Sequence, residues 1–190
     1  MWAIIAGVLS LLLAYLFDWI SLKKTRGSKQ VVILFVIGLQ IYALLAASWG
    51  PSRFSLPGAL SILGWSLAPI SLLLLVYSLF VELPLAETYS KTSAGQQLVT
   101  SGTYALVRHP WLLCYVVFLA SLALATRSNV LLYAAPIWVF ICLLHVVIQD
   151  RLLFPRMFAQ YPDYKRETPM LIPNKSSIAA CLRTLKARGT

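Results

Sequence analysis

The sequence predicts an all-α polytopic membrane bundle of five transmembrane helices, the last two forming a helical hairpin, and three observations lead to it. Hydrophobic residues make up 59% of the chain and charged residues 12%, whereas roughly a quarter of a soluble domain is charged. The apolar residues gather into five segments near the length of about 20 residues that a bilayer span requires. Lys and Arg, finally, are concentrated in alternate connections between those segments. The polar remainder is too small to fold alone, so the chain reads as one membrane domain.

The expected spans cover residues 2–21, 31–49, 60–80, 111–125 and 130–148. Lipid offers the backbone no hydrogen-bond partners, so each must be a complete helix. The first lacks the basic start and small-residue cleavage signal of a secretory peptide and reads as a retained span. The fourth is short. Arg127 and Asn129 make a tight connection to the fifth, so the two read as a closely packed hairpin that accommodates the short member. Lys23, Lys24, Arg26 and Lys29 follow the first span, Lys91 and Arg108 the third, and eight more cations the fifth, while the second and fourth connections hold Arg53 and Arg127. Fourteen cations against two put the N-terminus outside and the C-terminus in the cytoplasm, in the inner membrane if the cell is bacterial. The formal charge of +10 is therefore topology and attraction to anionic lipid rather than a nucleic-acid surface. Cys114, Cys142 and Cys181 have no paired spacing, which argues against a disulfide framework or a metal site.

Chemistry is confined to two cytoplasmic stretches, 81–110 and 149–190. The first carries Glu82, Glu87, a polar run at 90–97, and then Leu98-Val99-Thr100-Ser101-Gly102-Thr103-Tyr104-Ala105-Leu106-Val107-Arg108-His109-Pro110. Gly102 reads as a turn and Pro110 as a first helical residue. His109 is biased away from the α region by the proline that follows it, and should sit at the entrance of the fourth span. Taken alone, Arg108-His109 reads as an interfacial pair that snorkels to headgroups.

In context, this run resembles the signature of the isoprenylcysteine carboxyl methyltransferase and phospholipid methyltransferase family, approximately L-V-x-x-G-x-Y-x-x-x-R-H-P-x-Y. Leu98, Val99, Gly102, Tyr104, Arg108, His109 and Pro110 carry the match. A second signature of that family, approximately E-E-x-x-L, then F-G-x-x-Y-x-x-Y, then I-P, aligns without a gap on Gln149-Asp150-Arg151-Leu152-Leu153, on Tyr161 and Tyr164, and on Ile172-Pro173. The departures are Trp111-Leu112 after the proline, Gln149-Asp150 for the acidic pair and Met157-Phe158 for Phe-Gly. The resemblance covers about 98–173; the first three spans match only in being apolar.

The resemblance implies S-adenosylmethionine as cofactor and a lipophilic or small amphiphilic methyl acceptor reached from membrane lipid. It implies cytoplasmic cofactor-binding segments formed by Gln97, Leu98, Val99, Gly102, Tyr104, Arg108, His109, Pro110, Gln149, Asp150, Tyr161 and Tyr164, with His109, Arg108 and Asp150 as catalytic candidates. Arg108 or His109 would meet the cofactor carboxylate and Asp150 or Glu167 its ammonium, with aromatic rings at the sulfonium or adenine. A thiol or ammonium acceptor must first lose a proton, for which His109 or Asp150 is nearest. The chain then divides into a three-helix scaffold (1–81), a cofactor-binding and catalytic region (82–173) and a basic tail (174–190).

His145, one turn before Gln149, is equally a functional group at membrane depth or an interhelical hydrogen-bond donor. Asp18 and Glu82 read as interfacial. The tail, with Ile178, Leu182 and Leu185 at helical spacing among cations, reads as a basic helix on anionic lipid or as disordered. The alternative functions are a nicotinamide-dependent enzyme of the sterol reductase type, whose C-terminal region also carries an R-H-P-like run, and a non-catalytic protein that keeps the scaffold. A transporter is disfavoured because no inverted repeat with interrupted spans is present.

Overall fold

The computed structural model describes residues 1–22, 28–83 and 98–188. Gln97, Glu87 and the polar run at 90–97 lie outside them. The described elements are helical: α1 (Trp2–Leu22), α2 (Ser28–Ser48), α3 (Gly58–Val76) running into a π-helical turn (Tyr77–Glu82), the short α4 (Thr103–Leu106), α5 (Pro110–Thr126), α6 (Asn129–Ile148) running into a second π-helical turn (Gln149–Leu153), α7 (Phe154–Met157), α8 (Tyr161–Glu167) and α9 (Lys175–Arg188).

Among the described residues, four helical stretches are long and apolar enough to cross a membrane: Trp2–Ile20, Gln30–Ser48, Gly58–Glu82 and Asn129–Met157. α5 is apolar but has 17 residues, a rise of about 26 Å against a hydrocarbon core of roughly 30 Å. The chain is thus a multi-pass membrane protein. α6 ends at Ile148, where hydropathy places the end of the span, and a π-helical turn then carries Gln149 and Asp150 onward to Leu153.

By packing, the chain forms two compact units interleaved in sequence, Met1–Leu72 with Tyr115–Val147, and Leu73–Cys114 with Ile148–Thr190. In the first unit, lipid tails are as apolar as leucine, so helices associate through small residues and hydrogen bonds rather than by excluding water. Ala43, Ala47, Leu131, Ala134 and Trp138 are buried, and Gly7 leaves the space that the Trp138 ring fills. The Trp138 indole N–H donates to the Ile4 carbonyl at 3.2 Å, Ser10 to Val36 at 2.9 Å, Ser61 to Ala125 at 3.1 Å and the Gln40 amide to the Tyr115 hydroxyl at 2.9 Å. Outward, Leu34, Phe35, Ile62 and Phe140 are exposed, as lipid contact requires.

Asp18 and His145, read separately in the sequence, meet in the first unit. Both are buried, and His145 Nε2 lies 2.6 Å from Asp18 Oδ2. The imidazole stacks on Tyr15 at 4.1 Å between centroids, and the Tyr15 hydroxyl donates to the Ile141 carbonyl at 2.8 Å. A carboxylate in an apolar bundle is tolerated when it has a hydrogen-bonded partner. Asp18 is therefore an interhelical tie rather than a headgroup contact, and His145 takes the hydrogen-bonding alternative.

Candidate functional site

The site belongs to the second unit and is built from the ends of three apolar helices and the polar segments between and after them. Leu98–Ser101 runs without regular structure to Gly102, whose φ of 65° lies in the left-handed region that glycine enters without a side-chain clash. Past that turn α4 is pinned through its first two residues. The Thr103 N–H donates to both Glu82 carboxylate oxygens at 3.1 Å, and its hydroxyl donates to Glu82 as well. The Tyr104 hydroxyl reaches the Ser78 carbonyl at 3.2 Å. Glu82, expected at the membrane interface, is the last residue of the apolar stretch Gly58–Glu82; it is buried and holds the start of α4.

Val107 is extended, and Arg108 and His109 then pair through their backbone N–H groups with the carbonyls of Pro169 and Met170, at 3.0 and 3.3 Å. This edge contact turns the chain so that Pro110 opens α5. The missing N–H of Pro110 costs nothing in a first turn that has no acceptor for it.

One buried carboxylate organises the two signature segments. Asp150 Oδ1 accepts from Arg108 Nε at 2.7 Å and from the Tyr161 hydroxyl at 2.6 Å, while Oδ2 pairs with Lys165 Nζ at 2.7 Å. Arg108 also donates through a terminal nitrogen to the carbonyls of Lys165 and Thr168. Its planar fork thus serves three acceptors, which a lysine ammonium on a flexible stem reproduces poorly. The side chains of Arg108 and Asp150 are 7% and 4% exposed, so the pair is sealed from water, and Lys165 is its outward member.

Aromatic rings close the network from the other side. His109 is fully buried and stacks on Phe154 at 5.8 Å; Phe154 meets Tyr161 edge to face at 5.4 Å, and Tyr161 meets Tyr164 at 5.9 Å. The Tyr164 hydroxyl donates to the Tyr104 carbonyl at 2.7 Å, tying the first signature to the second again. Burial pushes the phenols of Tyr104, Tyr161 and Tyr164 above the usual phenol range. The Asp150 carboxylate adds to the shift at Tyr161. All three are neutral hydrogen-bond donors at physiological pH.

Beside this network opens a cleft of about 500 Å³, lined among others by Leu98, Thr100, Tyr164, Glu167, Thr168 and Arg183. That volume is within the roughly 300–1,000 Å³ range of small-molecule sites. Thr168, whose carbonyl holds Arg108, and Tyr164, whose hydroxyl holds Tyr104, link cleft and network. Of the sequence-derived candidates, Leu98, Tyr164 and Glu167 line the cleft. Arg108, Asp150 and Tyr161 form the network, and His109 lies against Phe154. Gln149 is buried one residue before Asp150, and Gly102 and Tyr104 shape the α4 turn. Sequence reasoning missed Lys165, Phe154 and the cleft wall contributed by α9. Lys165 carried a signal, since it is the cation next to the second signature tyrosine. Among the described residues, no three His, Cys, Asp or Glu side chains are grouped to hold a metal ion.

Comparison with known proteins adds one likeness. No family model matches the chain, and no solved structure matches it. Over 90 residues it is 37% identical to the nickel-cobalt-cadmium resistance protein NccN of Alcaligenes xylosoxydans xylosoxydans, covering 46% of this chain and 41% of that protein. The chain therefore spans less than half the length of the curated relative it matches.

Proposed function

We propose that this chain is a membrane-embedded, S-adenosylmethionine-dependent methyltransferase acting on a lipophilic or small amphiphilic acceptor at the cytoplasmic face. In this reading α5 and α6 form a closing hairpin of five spans, and the N-terminus lies outside. The observation that carries it is the Arg108–Asp150–Tyr161 network. Two stretches that resemble one family's paired signatures, 42 residues apart at their charged pair, meet in a single buried cluster.

The donor set of the adjoining cleft suits the cofactor. Glu167 and Asp163 offer carboxylates for an ammonium, Arg183 a guanidinium for a carboxylate, and Thr100, Ser177 and Thr184 hydroxyls for a ribose, all along one cleft. When bound, S-adenosylmethionine supplies a methyl group on a positively charged sulfur. Arg108 and Asp150 spend their hydrogen bonds on each other and on Lys165, Tyr161 and Thr168, so they act as positioning residues that hold the α4 segment against α8. His109, at the entrance of α5, is the group retained for taking a proton from a thiol or ammonium acceptor. Alignment and exclusion of water would supply most of the rate, as in other in-line transfers.

Titration calorimetry of the purified full-length protein tests this reading, with S-adenosylmethionine and NADPH injected in parallel. We expect binding of the former, weakened at least tenfold by Glu167→Gln together with Arg183→Ala, and His109→Ala is expected to lower turnover more than binding. Heat from NADPH alone would turn the assignment to the reductase class.

The likeness to a metal resistance protein favours a second reading, a part in tolerance of nickel, cobalt or cadmium. Growth of a strain lacking the gene on graded nickel, complemented with wild-type or His109→Ala protein, measures it. Rescue by wild type alone would join the two readings, and equal growth of all three strains would remove the second.

A further inference from the structure

Helix α9 is built with two distinct sides. On one, Ser177 and Cys181 are buried and the Thr184 hydroxyl accepts from the Gly102 N–H at 3.0 Å. On a second, Ile178, Leu182 and Leu185 fall at helical spacing and are 45%, 63% and 42% exposed. Lys175 and Lys186 lie next to that stripe on the helical wheel, both exposed, and α9 carries no acidic residue. A short chain of contacts ties α9 to the end of one apolar helix. Gly102 holds Thr184, the adjacent Thr103 holds Glu82, and Glu82 is the last residue of the apolar stretch Gly58–Glu82. The exposed stripe is thus tied to the end of a membrane-crossing helix.

We infer that α9 is a surface anchor: Ile178, Leu182 and Leu185 enter the headgroup boundary of the bilayer, and Lys175 and Lys186 pair with anionic lipid headgroups. Charge complementarity selects this occupant. A stripe of large apolar side chains flanked by lysines, with no carboxylate on the helix, has the pattern of an interfacial membrane helix. The consequence for the cleft is direct, because α9 also contributes Ser176, Ser177, Ala180, Arg183 and Thr184 to its wall. An α9 held down by lipid keeps that wall in place, so anionic lipid acts as a structural ligand of the site. This holds whatever the cleft binds.

Hydrogen–deuterium exchange of the full-length protein in nanodiscs tests it, comparing phosphatidylcholine with phosphatidylcholine containing phosphatidylglycerol. Amides of 175–188 are expected to exchange at least about five-fold more slowly in the anionic discs, the factor one cation contributes at such a surface. Amides of α5 serve as the reference and are expected to keep one rate. The difference should vanish near 1 M salt, where screening shortens the Debye length to about 3 Å, and shrink in Lys175→Gln/Lys186→Gln. Equal exchange in the two bilayers, which needs no variant to observe, overturns the inference. So does slowing that requires two copies in one disc, which would assign the stripe to a dimer contact.

Discussion

Asp150 gathers three side-chain donors on one carboxylate, and its value comes from what would be left behind if one were removed. Three donors reach one carboxylate at 2.6–2.7 Å in a place where its side chain is 4% exposed. Buried ion pairs are weak evidence of net stabilisation, but deleting one member strands the other charge at a cost of about 3–5 kcal/mol. Arg108→Ala is therefore expected to lower the unfolding temperature of the protein in detergent, since it leaves Asp150 with Lys165 and Tyr161 alone and also frees the carbonyls of Lys165 and Thr168. Arg108→Lys should recover only part of the loss, because a point charge cannot serve three acceptors in one plane. Full recovery by lysine would show that charge alone matters. The Arg108–Asp150 pair was half legible in sequence: each residue stood out within its own motif, but nothing in either motif names the other as its partner. Lys165 holds no fixed position of either pattern, though it adjoins the second signature tyrosine, and nothing local pairs Asp18 with His145, 127 residues away.

Helices in lipid are held by close approach, and the contact of α3 with α5 illustrates the element scale. A side-chain carbon built on Gly64 would lie 2.5 Å from the Ala125 nitrogen and 2.7 Å from the Ser121 carbonyl oxygen. Both are backbone atoms in a helix and cannot step aside as a flexible side chain would. Gly64→Ala should push α3 off α5 and cost about 1–3 kcal/mol, read as a lower unfolding midpoint, and Gly64→Leu should cost more. An unchanged midpoint for both would mean that α3 slides without penalty. Element ends were legible wherever a backbone-restricting residue marked them: Pro110 opens α5 as expected, and Gly102 makes the expected turn. The end of α6 at Ile148 matches the fall in hydropathy, but the π-helical turn that follows it was not legible. Buried partners, here Arg108 and Tyr161, replace water for the Asp150 carboxylate and let that turn carry it.

At the scale of the whole molecule, hydropathy and charge bias account for the multi-pass architecture, and the sidedness they imply is open to a direct measurement. Fourteen of sixteen Lys and Arg residues are expected on the cytoplasmic side. Trypsin added to inside-out vesicles should remove the C-terminal segment, and added to right-side-out vesicles should leave the chain nearly intact. The reverse pattern would invert the topology and detach the cleft from the cytoplasm. What composition could not reveal is the interleaving of the two compact units, because a hydropathy scan moves along the chain and packing does not.

The separation between Arg108 and Asp150 also sets an order of assembly. During synthesis Arg108 emerges first, at the start of α5, and its carboxylate partner follows 42 residues later, past the whole of α6. The carbonyl acceptors at Lys165 and Thr168 come later still. Until then the guanidinium must rest against water or headgroups beside the insertion machinery. Integration of α6 into the bilayer therefore precedes completion of the pocket, and a nascent chain arrested within α6 would be embedded in the membrane without a finished site.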